Sequence, residues 1–157
     1  MVQGCESAPP LLPAENVDLK KYSGLWYDYA HTPQRFLVRC SDITAEYKIE
    51  SDRYVSVYNS CVKDSGKKSA IKGKAFPVKG GNNAKLKVQF FWPFRADYWI
   101  LDIDKDYQYA IIGGPSRSYL WILSRTPEMD EEKYNELVGK AEAMGFDVES
   151  LIRTVHN

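Results

Sequence analysis

The sequence predicts an all-β protein, an eight-stranded antiparallel up-and-down β-barrel with a C-terminal α-helix packed on the outside. Three observations lead there. Short runs of alternating apolar and polar residues recur at even spacing between turn signals, which is how half-buried strands read. The long stretch of helical periodicity comes late, over residues 130–144. Three late strand-like runs are apolar on both faces and so need cover on both sides. Closing the sheet removes its exposed edges, and eight strands enclose room for one small ligand.

The elements follow in order. Residues 1–15 form a Pro- and Ser-bearing leader or tether, and residues 16–157 one domain, long enough to bury a full core. Residues 17–22 predict a helical turn with Asp18 as its N-cap. Strand one spans about 24–31: Gly24 permits close approach of another segment, and Trp26 and Asp28 share its face by alternation. Residues 32–39, with Pro33 and Phe36, read as a long loop. A hairpin pairs residues 43–49 with 54–58 around Glu50-Ser51-Asp52. After a turn at Gly66 comes a strand over 69–78, then the strongest turn signal of the chain, Gly80-Gly81-Asn82-Asn83. Residues 85–90 alternate cleanly, setting Leu86, Val88, Phe90 and Trp92 on the inward face. The runs 98–103, 107–112 and 119–123 are those with two apolar faces. The helix carries Tyr134, Leu137, Val138, Ala141 and Met144 on one stripe, with Asp130 as its cap, Glu131 and Glu132 at its positive end, and Gly145 as its left-handed stop. Residues 151–155 can add a last short strand.

Composition narrows the function. Twenty-one basic residues balance 21 acidic ones, which argues against a nucleic-acid partner. No run approaches the ~18 apolar residues of a membrane span. Two histidines and three cysteines without metal-ligand spacing give neither a metal site nor a cofactor site. The cysteines divide into one disulfide, Cys40–Cys61, and a spare thiol, Cys5. A two-residue turn at Glu50-Ser51 would set Cys40 directly opposite Cys61, whereas the apolar pattern prefers Ala45 facing Val57, so a bulge must reconcile the two. A catalytic thiol is the alternative, but neither cysteine has a neighbouring His or Lys to lower its pKa. Asp28, Asp104 and Asp106 read as turn and local hydrogen-bonding groups rather than a paired acid and base, and His31 as a solvated rim residue.

These residues resemble the lipocalin family. Gly24-Leu25-Trp26 is similar to its first motif, the segment from Asp104 through Tyr107 to Ala110 to its second, and the segment from Tyr119 through Arg125 to Pro127 to its third. The resemblance implies that Arg125 packs across Trp26 and closes one end of the barrel, a structural role. Related lipocalins with cysteines at the two hairpin positions support the Cys40–Cys61 bridge. The run Phe90-Phe91-Trp92-Pro93-Phe94 with Asp97-Tyr98-Trp99 points to the branch of bacterial outer-membrane and plant temperature-induced lipocalins, with apolipoprotein D further off. Val2-Gln3-Gly4-Cys5 resembles a lipobox, implying acylation of Cys5 as a membrane tether; the other reading is an unpaired cysteine in a leader.

The family implies a non-enzymatic carrier, secreted or periplasmic and anchored to the outer membrane if Cys5 is acylated. It would be a monomer or weak homodimer, taking a fatty acid, lysophospholipid or similar membrane-derived lipid. The residues expected to meet the ligand are Phe36, Ala45, Tyr47, Val57, Phe76, Val88, Phe90, Trp92, Tyr98, Trp121 and Leu123, with Arg95 near the open end for a carboxylate or phosphate head group. Two alternatives remain: a lipocalin-fold enzyme acting on a lipid or carotenoid, which needs a free thiol or perturbed acid inside the barrel, and a pigment carrier.

Overall fold

The computed structural model describes residues 10–157; Cys5 and its lipobox-like sequence lie outside them. A short helix α1 (Leu19–Tyr22) leads into eight strands: β1 (Gly24–His31), β2 (Cys40–Ile49), β3 (Val55–Lys63), β4 (Lys68–Pro77), β5 (Lys85–Phe91), β6 (Phe94–Ile103), β7 (Tyr109–Gly113) and β8 (Leu120–Ser124). Each pairs antiparallel with the next, and β1 pairs with both β2 and β8, which closes the ring. Helix α2 (Glu131–Ala143) follows, then a two-residue strand β9 (Ile152–Arg153) paired with the upper part of β1. No helix among the described residues is long and apolar enough to cross a membrane.

Alternation divides the apolar side chains into two cores. The inner one holds Trp26, Tyr47, Val57, Ala75, Leu86, Val88, Ile100, Ile112 and Leu123. The outer one lies between the wall and α2, and joins Ala30, Leu101, Ile111, Leu120 and Ile122 to Tyr134, Leu137, Ala141 and Phe146. The strands with two apolar faces therefore bury both, one inside the barrel and one under the helix. Arg153 of β9 fastens the helix start by pairing with Glu131 and lying over the Tyr134 ring at 4.1 Å. Asp18 caps α1 as expected, accepting from Lys20 N and Lys21 N. Asp130 occupies the N-cap position of α2, but its side chain makes no capping bond.

The β2–β3 register differs from both expected ones. Tyr47 faces Val57 and Ile49 faces Val55, so the connection is the longer loop Glu50–Tyr54, with Ser51 N bonding Tyr54 O. A bulge between Ser41 and Thr44 shifts the pairing, so Cys40 faces Lys63 and reaches Cys61 diagonally. The disulfide forms across that diagonal, with the two Cα atoms 5.6 Å apart.

Candidate functional site

The base of the barrel is a plug. Trp26 is fully buried, and its indole Nε1 donates to Tyr22 O at 2.8 Å. The Arg125 guanidinium lies 3.8 Å from the Trp26 ring and donates to the carbonyls of Tyr107, Leu25 and Lys21 at 2.9, 2.9 and 2.7 Å. Its charge is thus shared among three backbone carbonyls and the indole face. Asp104 Oδ1 accepts from Gln108 N and Tyr109 N at 2.6 and 2.8 Å, shaping the turn that presents Tyr107 O to the arginine. Gly24 is needed for its backbone, at φ +102°, not for clearance: a Cβ there would meet Arg125 Nη1 at an ordinary 3.5 Å.

Above the plug, Ala45, Tyr47, Val57, Val88, Phe90, Tyr98, Trp121 and Leu123 all belong to the inner core. The wall steps from large to small: Phe90 packs over Gly73, where a Cβ would come within 2.6 Å of its ring, and Ala75 faces Val88. Two residues expected inside are outside. Ala75 and Val88 face inward, so alternation turns Phe76 out, and Arg95 lies over the Phe76 ring at 4.1 Å while donating to Gln89 Oε1 at 3.0 Å. Trp92 is also displaced: the strand ends at Phe91, so Trp92 sits at the tip of the β5–β6 hairpin and is 81% exposed. The side chain of Phe36 lies outside the described ones.

Sequence reasoning missed two polar features of the interior. Tyr22, read only as the end of a helical turn, is buried and brings its hydroxyl to within 2.5 Å of Tyr98 Oη, which also bonds Tyr47 Oη at 2.7 Å. Burial raises all three phenols above their usual range, Tyr47 to about 12. Further up β1, His31 is buried rather than solvated, with Nδ1 3.1 Å from Asp28 Oδ2. Burial raises the Asp28 carboxyl, and its hydrogen bond to His31 partly opposes the shift. The cause is the C-terminal segment, which folds back beside β1: Thr154 Oγ1 lies 3.3 Å from both Asp28 Oδ1 and His31 Nδ1, and His156 Nε2 meets Asp28 O at 2.9 Å. Asn157 N donates to Asp42 Oδ1 at 2.7 Å and so anchors the chain end to β2. A polar residue on an inward parity position, Asp28, was the available signal that something would have to cover this part of the wall.

The arrangement encloses an apolar wall between a sealed base and an end bounded by hairpins. Among the described residues no cluster of His, Cys, Asp and Glu could hold a metal.

Comparison with known proteins agrees with this geometry. A family described as a lipocalin-like domain matches residues 17–156. Temperature-induced lipocalin-1 of Arabidopsis thaliana is 42% identical over 149 residues, covering 89% of this chain and 80% of that protein. Outer membrane lipoprotein Blc of Escherichia coli K12 is 36% identical over 156 residues, covering 97% of this chain and 88% of its own. The structure of insecticyanin from the tobacco hornworm superposes with a TM-score of 0.74 at 21% identity, over 94% of this chain and 85% of the other, a likeness of fold.

Proposed function

The chain belongs to the lipocalin family, and from that premise we propose that it binds a small hydrophobic ligand within the barrel and stores or transports it. The ligand class is a fatty acid, lysophospholipid or similar membrane-derived lipid. The observation that carries this reading is the asymmetry of the barrel: one end is closed by Trp26 and Arg125, and the wall above steps down to Ala45, Gly73 and Ala75. An acyl chain in such a wall gains ~0.8 kcal/mol per methylene removed from water, less the cost of ordering it.

With a relative named as an outer membrane lipoprotein, the proposed setting is periplasmic, with residues 1–15 as a tether and Cys5 as the acylated residue. Asp28 is the perturbed inward acid that an enzymatic reading requires. Its Oδ1 is engaged by His31 and Thr154 and its Oδ2 lies 3.1 Å from His31 Nδ1, which favours a structural role and the carrier reading.

Native mass spectrometry of freshly purified protein tests the proposal, since a retained lipid is weighed directly. Tryptophan emission should respond to a fatty acid through Trp121, and affinity should rise with chain length and then level off. Trp121→Glu should abolish binding and Trp121→Phe retain most of it. Absence of binding at every chain length by the Trp121→Phe and unmodified proteins would overturn the carrier reading.

A further inference from the structure

The barrel interior is not uniformly apolar, and its polar groups form a pattern. The phenol oxygens of Tyr22, Tyr47 and Tyr98 converge although they come from α1, β2 and β6, so no local turn explains the cluster. Their rings support one another, with centroids 5.2 Å apart for Tyr22 and Tyr47 and 5.9 Å for Tyr47 and Tyr98. Burial keeps each phenol protonated at neutral pH, so each oxygen carries one proton and free lone pairs. The two bonds through Tyr98 use two of the three protons. Even a closed ring of three bonds would leave a lone pair on each oxygen.

A second observation is independent of the first. Asn59 lies on β3, on the same face as Val57, and its cross-strand neighbours are Ala45 and Ile71. Its side-chain Oδ1 is buried and has no hydrogen-bond partner. A buried amide oxygen left unpaired is destabilising, and a leucine of similar volume would avoid that cost. Asp28 Oδ2 is the other buried oxygen without a hydrogen bond among the described residues, but it lies 3.1 Å from His31 Nδ1, so a polar neighbour already faces it.

We propose that the ligand is an oxygenated lipid, an acyl chain bearing a hydroxyl on the part that reaches the base, received there by the Tyr22–Tyr98–Tyr47 oxygens with Asn59 Oδ1 as a further acceptor on the wall. A hydroxyl both donates and accepts, so it fits the phenol cluster whichever way its protons point. A plain methyl terminus would gain nothing from these groups. The inference rests on the carrier reading and adds the chemistry that the ligand carries.

Calorimetric titration of the delipidated full chain with dodecanoic and hexadecanoic acids, and with the ω-hydroxylated form of each, tests it. At least one hydroxylated acid should bind about tenfold more tightly than its parent, the gain of roughly one well-made hydrogen bond. Tyr98→Phe removes the shared oxygen and keeps the ring, and should bring each hydroxylated acid to the affinity of its own parent acid. Tyr47→Phe gives the same reading if Tyr98→Phe fails to fold. Asn59→Leu should weaken the hydroxylated acid severalfold while raising the thermal midpoint, a split that a purely structural asparagine would not show. Parent acids binding as tightly as the hydroxylated ones, or a preference that survives both tyrosine variants, would overturn the inference and leave the carrier reading standing. Failure of every acid to bind the unmodified protein would overturn both.

Discussion

Trp26 and Trp92 stand at opposite ends of one barrel; the first is fully buried and the second is 81% exposed. Around Trp26 the polar groups are matched: the indole N–H goes to Tyr22 O, and the guanidinium on its face serves helix α1, strand β1 and the turn before β7 at once. Around Trp92 the neighbours Phe91 and Phe94 are also exposed, at 69% and 76%. The difference teaches where stability resides. The base holds the ends of the chain segments together, and the tip of the β5–β6 hairpin contributes little to folding.

The largest effect should come from breaking the base. Trp26→Ala should cost about 3–5 kcal/mol, the usual range for emptying a fully buried indole site, read from urea unfolding. Affinity for an unsubstituted fatty acid per folded molecule should stay nearly unchanged. Loss of affinity for such an acid with little loss of stability would make the base a binding surface for the acyl chain itself and collapse the distinction between the two ends.

The Cys40–Cys61 bridge lies away from this plug, and opening it sharpens the contrast. It closes a loop with a sequence separation of 21 residues, for which chain entropy gives about 3 kcal/mol. The double replacement Cys40→Ala with Cys61→Ala should lower the midpoint accordingly. An unchanged midpoint would mean that the β2–β3 pairing needs no covalent support.

Both ends were partly legible in the sequence. The closed end was readable because Gly24-Leu25-Trp26 and Arg125 match lipocalin motifs, and an indole at the start of a first strand needs a large cover. The two-core wall was readable because strands with two apolar faces need two covers, and α2 supplies one of them. Three features were not readable, each for a physical reason. The β2–β3 register depended on a five-residue connection and a bulge, and alternation alone fixes parity but not which residues pair. The burial of His31 depended on the chain returning after more than a hundred residues to set Thr154 beside it. The outward turn of Phe76 depended on which residue of β4 pairs with β5: Ala75 faces Val88, and Arg95, expected near the open end, lies over the Phe76 ring.

Asp28 tests the wall between the two ends with a smaller effect. Burial raises its folded-state pKa above the unfolded value of about 3.9. A carboxyl shifted that way contributes stability that is complete below the unfolded pKa and is lost as pH rises through the folded one. At neutral pH the protein therefore carries the cost of a buried charge that His31 only partly offsets. Asp28→Asn should raise the thermal midpoint by a few degrees at pH 7, and the gain should shrink as pH falls through the raised folded-state pKa and be gone below about 3.9. Destabilisation that does not vary with pH would show instead that the carboxylate is held for its bonds to His31 and Thr154.

The smallest effect belongs to Trp92. Its side chain projects from a hairpin tip where the pairing of Phe91 with Phe94 already fixes the turn. A residue this exposed has little surface left to lose to water on unfolding, so its burial contributes almost nothing. Trp92→Ala should change stability by less than about 0.5 kcal/mol, as surface replacements do. It should also remove the long-wavelength part of the tryptophan emission, because Trp26 is dry while Trp99 and Trp121 are only partly exposed. The same replacement at Trp26 costs several times more, so the pair measures the asymmetry of the barrel with one chemical change at each end. A loss of more than about 1 kcal/mol at Trp92 would show that the tip packs on the barrel in solution, and the two ends would then differ in degree only.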